Sequence, residues 1–230
     1  MRLLPLLLDL FFPPRCVLCR RRPDNGAQTD FCVACLAAMP DPACCCRRCG
    51  YVLPERGAKC QACRGLRLAF TGTCAADLYR GRLKAVIHRY KYGGQMHLAG
   101  PLGRLLARQI RRCPWPAFSA VVPVPLHPRR RSDRGYDQSL LLAQVIGTEL
   151  DVPLKVALVR TRSTKSQTRL GAAERWGNVQ EAFAGVPGTA LSGNILLVDD
   201  LLTTGATAHY AAEALLNAGA SAVYLAVIGR

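Results

Sequence analysis

Two acids stand side by side at Asp199 and Asp200. Four apolar residues, Ile195 to Val198, precede them, and Thr203-Thr204-Gly205-Ala206-Thr207 follows two residues later. The apolar run reads as a buried strand, and residues 206–218 read as a helix that stops at Gly219. Between strand and helix lies a short loop in which Gly205 lets backbone approach a ligand closely or take a positive φ. The Thr hydroxyls and the N–H groups of the first helical turn converge on one small volume that favours an anion. The carboxylates repel a bare phosphate, but they suit a ligand that also donates hydroxyls, such as a ribose beside its 5′-phosphate. The bland alternative is a strand–helix turn capped by Thr. A Walker-B strand, the sharper rival, requires a G-x-x-x-x-G-K-[ST] loop elsewhere, and the chain contains none.

The second chemical constellation is made of cysteine. Ten of the twelve cysteines fall between Cys16 and Cys63, and eight of them form C-x-x-C pairs: Cys16/Cys19, Cys32/Cys35, Cys46/Cys49 and Cys60/Cys63. Twelve residues separate the first two pairs and ten the last two. That spacing matches zinc ribbons, in which two knuckles close one tetrahedral thiolate site. Two structural zinc ions in sequence are expected, although an interleaved pairing satisfies the same spacing. Disulfides instead of zinc require an oxidising compartment and an export signal, and neither is visible. Cys44 and Cys45 adjoin Cys46 and compete as ligands, but the C-x-x-C spacing favours Cys46. Cys74 and Cys113 read as buried thiols. Arg20-Arg21-Arg22 and Arg47-Arg48 flank the knuckles, either as a nucleic-acid face or as solvated charge.

The elements that must hold these groups follow from the rest of the chain. Its 230 residues fit one α/β domain plus a small appendage, and half of them are apolar. The division expected is a short apolar N-terminal helix over 1–14, a double zinc-ribbon module over 15–65 and a larger domain over 66–230. Asp9 and the Pro13-Pro14 pair argue against a signal peptide in residues 1–12, which leaves a docked or membrane-surface helix. No run of 18 apolar residues occurs, so no transmembrane helix is expected, and the chain is assigned to the cytoplasm. The net charge is +16, with 26 Arg against five Lys. That charge suits nucleic acid or a polyphosphate substrate, and the Arg skew also resembles composition bias.

Within 66–230, strands are expected at 71–79 and 119–124, and helices at 80–92, 98–112 and 139–149. The stretch Arg129 to Gln138, basic and with Gly135 inside it, reads either as a mobile loop that closes over an anion or as a solvated surface run. Residues 160–176 read as a lid or hood. The ribbons lie far from 195–207 in sequence and are expected to be indifferent to changes there.

Leu197 to Thr207 resembles the phosphoribosyl-pyrophosphate (PRPP) motif of type I phosphoribosyltransferases. The wider order of segments resembles the ComF/GntX-like family, also called competence protein F. The matching features are the paired ribbons, Lys91-Tyr92-Gly93, Pro123-Val124-Pro125 and Arg134-Gly135-Tyr136-Asp137-Gln138. They continue through Gln167, Leu170, Arg175 and Asn178 to the PRPP motif. Asp137 stands where the family pattern has Asn.

The resemblance implies a type I phosphoribosyltransferase core, a mostly parallel twisted sheet with flanking helices and a small hood. It implies that Asp199 and Asp200 hold the ribose hydroxyls and that Thr203, Thr204, Gly205, Ala206 and Thr207 wrap the 5′-phosphate. Lys91 and Arg134 are the candidates for the pyrophosphate. No residue is demanded as a general base, Asp137 and His127 being the weak candidates. It further implies Mg²⁺ bound with PRPP and transfer of ribose 5-phosphate to an unidentified acceptor. The alternative is a non-catalytic PRPP- or nucleotide-binding accessory of DNA uptake, with the ribbons touching single-stranded DNA or a helicase partner. Against base stacking, aromatic residues make up only 7% of the chain.

Overall fold

The computed structural model describes residues 14–23, 30–126, 132, 134–161, 176, 180 and 182–230. The expected N-terminal helix, His127, most of the basic stretch at 129–133 and the hood positions Gln167, Leu170, Arg175 and Asn178 lie outside the described residues.

A short helix α1 (Val33–Ala37) follows Cys32 in the cysteine-rich segment. The body then runs β1 (Gly72–Asp77), α2 (Gly81–Tyr92), α3 (Ala99–Ile110), β2 (Ala120–Pro123) and α4 (Gln138–Leu150). It continues through β3 (Leu158–Arg160), β4 (Phe183–Gly185), β5 (Asn194–Leu201), α5 (Ala206–Asn217) and β6 (Ala222–Gly229). The helices and strands expected within 66–230 are present, with ends shifted by one or two residues. The exception is β5, which runs on to Leu201, so both acids lie inside the strand rather than in the loop after it. Pairing explains the extension: Asp199 and Leu201 are still in register with Val227 and Gly229 of β6.

The main sheet has the order β1-β6-β5-β2 and every pairing in it is parallel. A parallel sheet is covered on both faces and so needs continuous apolar strands, which Ile195–Val198 and Val223–Ile228 supply. One face packs on α2, α3 and α4 through Leu83, Ile87, Leu102, Leu106, Leu142 and Ile146. The other packs on α5 through Ala211, Ala212 and Leu215, together with Leu158 and Phe183. The antiparallel pair β3–β4 brackets the hood segment, and sequence reading did not separate it from that segment. Three residues per strand are too few for period-2 alternation to register.

The first ribbon is not isolated from this core. Cys16, Phe31, Cys32, Cys35 and Met39 belong to the same apolar cluster as α2, α3 and α4. Arg104 of α3 pairs with Asp30 at 2.7 Å and Arg112 with Asp41 at 3.2 Å. The second ribbon docks on the edge strand β1: Thr73 donates its N–H to Arg47 O at 2.8 Å and its hydroxyl to Arg48 O at 2.9 Å.

Candidate functional site

In parallel α/β sheets, ligands bind in the crevice outside the carboxyl ends of the strands. Such a crevice of about 960 Å³ opens here. It is lined by Tyr79 after β1, Val124 to Leu126 after β2, Asp199 to Leu202 of β5 and its end, and Thr203 to Ala208. Lys91 and Tyr92 enter from the end of α2, and Arg134, Gln138 and Ser139 from the start of α4. Every position singled out for the ribose, the 5′-phosphate and the pyrophosphate therefore lines one cleft.

Gly205 caps α5 at φ 90° and ψ −8°. A side chain is strained in that conformation, and a Cβ there would also stand 3.3 Å from Leu68 Cδ2. The Ala206 N–H approaches Thr204 Oγ1 at 3.5 Å, a long contact, so the loop is shaped by backbone rather than by a strong side-chain cap.

Asp199 accepts hydrogen bonds from Ser139 Oγ at 3.1 Å and from the Asp200 N–H at 2.8 Å. Burial, then repulsion from Asp200, push its carboxyl up to about 7, while Lys91 and the two hydrogen bonds oppose the rise. Asp200 is buried and pairs with Lys91 at 2.8 Å. Both side chains of that pair are about one-eighth exposed, at 12% and 13%, so the pair is partly desolvated and each charge depends on the other for compensation. Arg134 donates to Gln138 Oε1 at 2.9 Å and lies over the Tyr92 ring, 5.0 Å from its centroid.

The segment carrying Arg134 is anchored from below. Tyr90 donates its hydroxyl to Gln138 O at 2.8 Å, and the Tyr136 hydroxyl donates to Tyr90 O. Asp137 turns out to be structural. One carboxylate oxygen caps α4 by accepting from the Leu140 N–H at 3.1 Å, and the other accepts from the Leu126 N–H at 3.2 Å. An Asn has a single acceptor oxygen for these two donors, which gives the departure from the family pattern a physical reason. Sequence reading met Tyr92 and Gln138 only as members of family-like segments without a role, and it missed Ser139 and Tyr79, whose place in the cleft no motif marks.

The cysteines form two four-sulfur groups, Cys16/Cys19/Cys32/Cys35 and Cys46/Cys49/Cys60/Cys63, each with all Sγ atoms within 4.8 Å. The pairing is sequential, not interleaved, and Cys44 and Cys45 belong to neither group. Cys19–Cys32 and Cys49–Cys60 sulfurs are 3.6 Å apart and Cys46–Cys63 sulfurs 3.7 Å. A tetrahedron with Zn–S bonds of about 2.3 Å has edges of about 3.8 Å, so the donors fit zinc. Without a cation these thiols resist joint ionisation. Burial and the neighbouring sulfurs push Cys35 up to about 12. Burial also acts on Cys16, but the N–H groups of Cys19, Cys32 and Leu18 outweigh it and bring that thiol down to about 7. A dication removes the conflict by holding all four as thiolates.

The chain is 30% identical over 220 residues to the DNA utilization protein YhgH of Salmonella typhi, covering 93% of this chain and 96% of that one. It is also 30% identical to competence protein F of Haemophilus influenzae, covering 91% and 93%. This chain belongs to the competence protein F family. Both matches extend over the cysteine-rich segment and the sheet domain. The Bacillus subtilis competence protein ComFC is 31% identical over 145 residues, or 63% of this chain and 58% of that one. A double zinc ribbon domain model matches residues 7–64. Among solved structures, the chain is similar to a glutamine PRPP amidotransferase from B. subtilis, at 22% identity and a TM-score of 0.41, over 60% of this chain and 30% of that one. Similarity to an adenine phosphoribosyltransferase from Leishmania tarentolae is 18% identity and a TM-score of 0.35, over 57% and 56%. Among the described residues no helix is long and apolar enough to cross a membrane.

Proposed function

We propose that the cleft binds PRPP with Mg²⁺ and that the protein transfers ribose 5-phosphate from it to an acceptor, releasing pyrophosphate. One observation carries this reading: the paired acids Asp199 and Asp200 and the 203–207 loop share a single crevice with Lys91 and Arg134. The loop and the start of α5 take the 5′-phosphate, because the positive end of a helix dipole favours an anion there. Asp199 and Asp200 accept from the ribose 2′- and 3′-hydroxyls. Taking Asp200 for a hydroxyl releases Lys91, 2.8 Å away, toward the pyrophosphate, where it joins Arg134. Departure of pyrophosphate builds positive charge on the ribose, and the chain contributes position and electrostatics to that step. Mg²⁺ neutralises the pyrophosphate when bound. In this reading Asp199 and Asp200 are engaged by the ribose hydroxyls, so the ion would be left mainly to PRPP oxygens and water. The two four-cysteine groups hold structural zinc.

Calorimetric titration with PRPP and Mg²⁺, followed by measurement of pyrophosphate with and without candidate acceptors, tests the reading. Absence of PRPP binding refutes it.

The names of the relatives favour a second reading, an accessory role in DNA uptake. Its support in the molecule is the exposed arginine set Arg20, Arg21, Arg22, Arg47 and Arg48 on the ribbons, which suits single-stranded DNA or a helicase partner. PRPP binding without pyrophosphate release under any acceptor favours this second reading.

A further inference from the structure

The second ribbon and the phosphate loop, far apart in sequence, meet at one side chain. Arg230 donates from Nε to Cys49 O, on the cysteine knuckle, at 2.7 Å. From Nη1 the same guanidinium donates to Thr203 O at 3.0 Å and to Leu202 O at 3.3 Å. Its carbon lies 5.9 Å from the centroid of the Tyr51 ring, two residues beyond the knuckle cysteine. A guanidinium holds its donors in one rigid plane, so fixing one edge to the knuckle fixes the other edge for the loop.

A second, apolar link runs beside it. Leu68 packs with both Cys46/Cys49/Cys63 and the α5-side core, and it stands against Gly205. Next to it, the Ala69 N–H donates to His209 Nδ1 on the first turns of α5 at 3.0 Å.

The loop's geometry explains why these links matter. Carbonyls and N–H groups of successive peptides point in opposed directions, so a loop that aims N–H groups at a phosphate turns carbonyls away from it. Arg230 supplies donors to two of those carbonyls. We infer that Arg230 is a positioning residue that couples metal occupancy of the Cys46/Cys49/Cys60/Cys63 site to the affinity of the 203–207 loop for the PRPP 5′-phosphate. The inference rests on the PRPP reading above. When the metal holds the knuckle rigid, Cys49 O holds Arg230, and Arg230 holds the loop in its binding shape. The first cysteine group is tied instead to α3 through Asp30 and Arg104 and is not coupled.

Coupling of binding free energies is reciprocal. PRPP must therefore tighten zinc binding at the second site by the same factor by which the metal strengthens PRPP binding. The test loads full-length protein with zinc and measures its partition at equilibrium with a chromogenic chelator, with and without saturating PRPP and Mg²⁺. The expected result is that one of two zinc equivalents is held about tenfold more tightly with PRPP, a coupling of ordinary size, while the affinity of the other is unchanged. In Arg230→Gln, PRPP affinity falls about tenfold by calorimetry and the tightening vanishes. A merely structural arginine would weaken folding without removing the PRPP effect on one zinc alone. If the variant does not fold, the parent protein's two zinc affinities still decide. Parent protein that binds PRPP but holds both zinc ions with unchanged affinity overturns the coupling and leaves the PRPP reading standing. Parent protein that fails to bind PRPP overturns both.

Discussion

The replacement Asp200→Asn should change how PRPP binding depends on pH as well as how strong it is. In the parent the Asp199 carboxyl titrates at about 7, raised by burial and by Asp200. Its ionised fraction is then about nine-tenths at pH 8 and about one-tenth at pH 6. If the ionised form accepts the ribose hydroxyl, affinity drops about tenfold between those two values. In Asp200→Asn the repelling charge is gone and Lys91, 2.8 Å from position 200, is free to face Asp199. Both changes favour the ionised form, so the midpoint moves down and the tenfold drop shrinks to about twofold. The variant also loses a charged acceptor, so at pH 8 its affinity is about ten- to a hundredfold weaker than the parent's. Calorimetric titrations of both proteins at pH 6, 7 and 8 provide the comparison. The phosphate of the ligand itself titrates near pH 6, but it does so against both proteins and cancels in their difference. Identical pH slopes for parent and variant would refute the reasoning. Folding stability has the opposite sign. The native carboxyl holds its proton more tightly than the unfolded one, so this group's contribution falls as pH rises from about 4 to about 7.

Further outcomes are expected elsewhere in the molecule. Protein purified without added metal should contain about two zinc ions by metal analysis; near-zero metal with disulfides by mass spectrometry is the contrary result. Gly205→Val should abolish measurable PRPP binding and lower stability by about 1–3 kcal/mol, because φ 90° and Leu68 both oppose a branched side chain; unchanged binding by calorimetry means the loop is structural only. Asp137→Asn should cost about 1–3 kcal/mol in thermal or urea unfolding, since one of two backbone donors loses its acceptor, and a variant as stable as the parent removes the capping explanation.

The sequence makes local and periodic features readable and leaves those made by docking hidden. The zinc groups were legible because thiolate ligands must come in C-x-x-C knuckles, and the loop because strand, acids, glycine and helix must follow in that order. Helices α2 to α4 were legible from their apolar periodicity. Sequential pairing of the knuckles was not, since spacing alone permits two closures. Nor was the Lys91–Asp200 pair, which joins residues 109 positions apart, or the meeting of Arg230 with Cys49 and Thr203. Such contacts depend on which helix lies on which strand, and no periodicity records that. The acids were placed after the strand because charge usually ends a buried run. Here the adjoining β6 carries the ladder past them, and Lys91 and Ser139 supply the partners that let them stay.

The strand order β1-β6-β5-β2 bears on how the chain acquires this shape during synthesis. The two central strands are β5 and β6, the last of the four to leave the ribosome, while the two outer strands emerge long before. The outer strands have no neighbour in this sheet to pair with until β5 and β6 appear, so every ladder of the main sheet waits for them. Pairings of such long sequence separation form slowly, and open edges invite association with other nascent chains in the meantime. The cysteine groups escape this delay, because each closes within 20 residues or fewer and can capture its metal while the later strands are still unmade. Nascent chains halted before residue 194 should therefore protect their cysteines from alkylation when zinc is supplied, although their sheet segments remain open to protease.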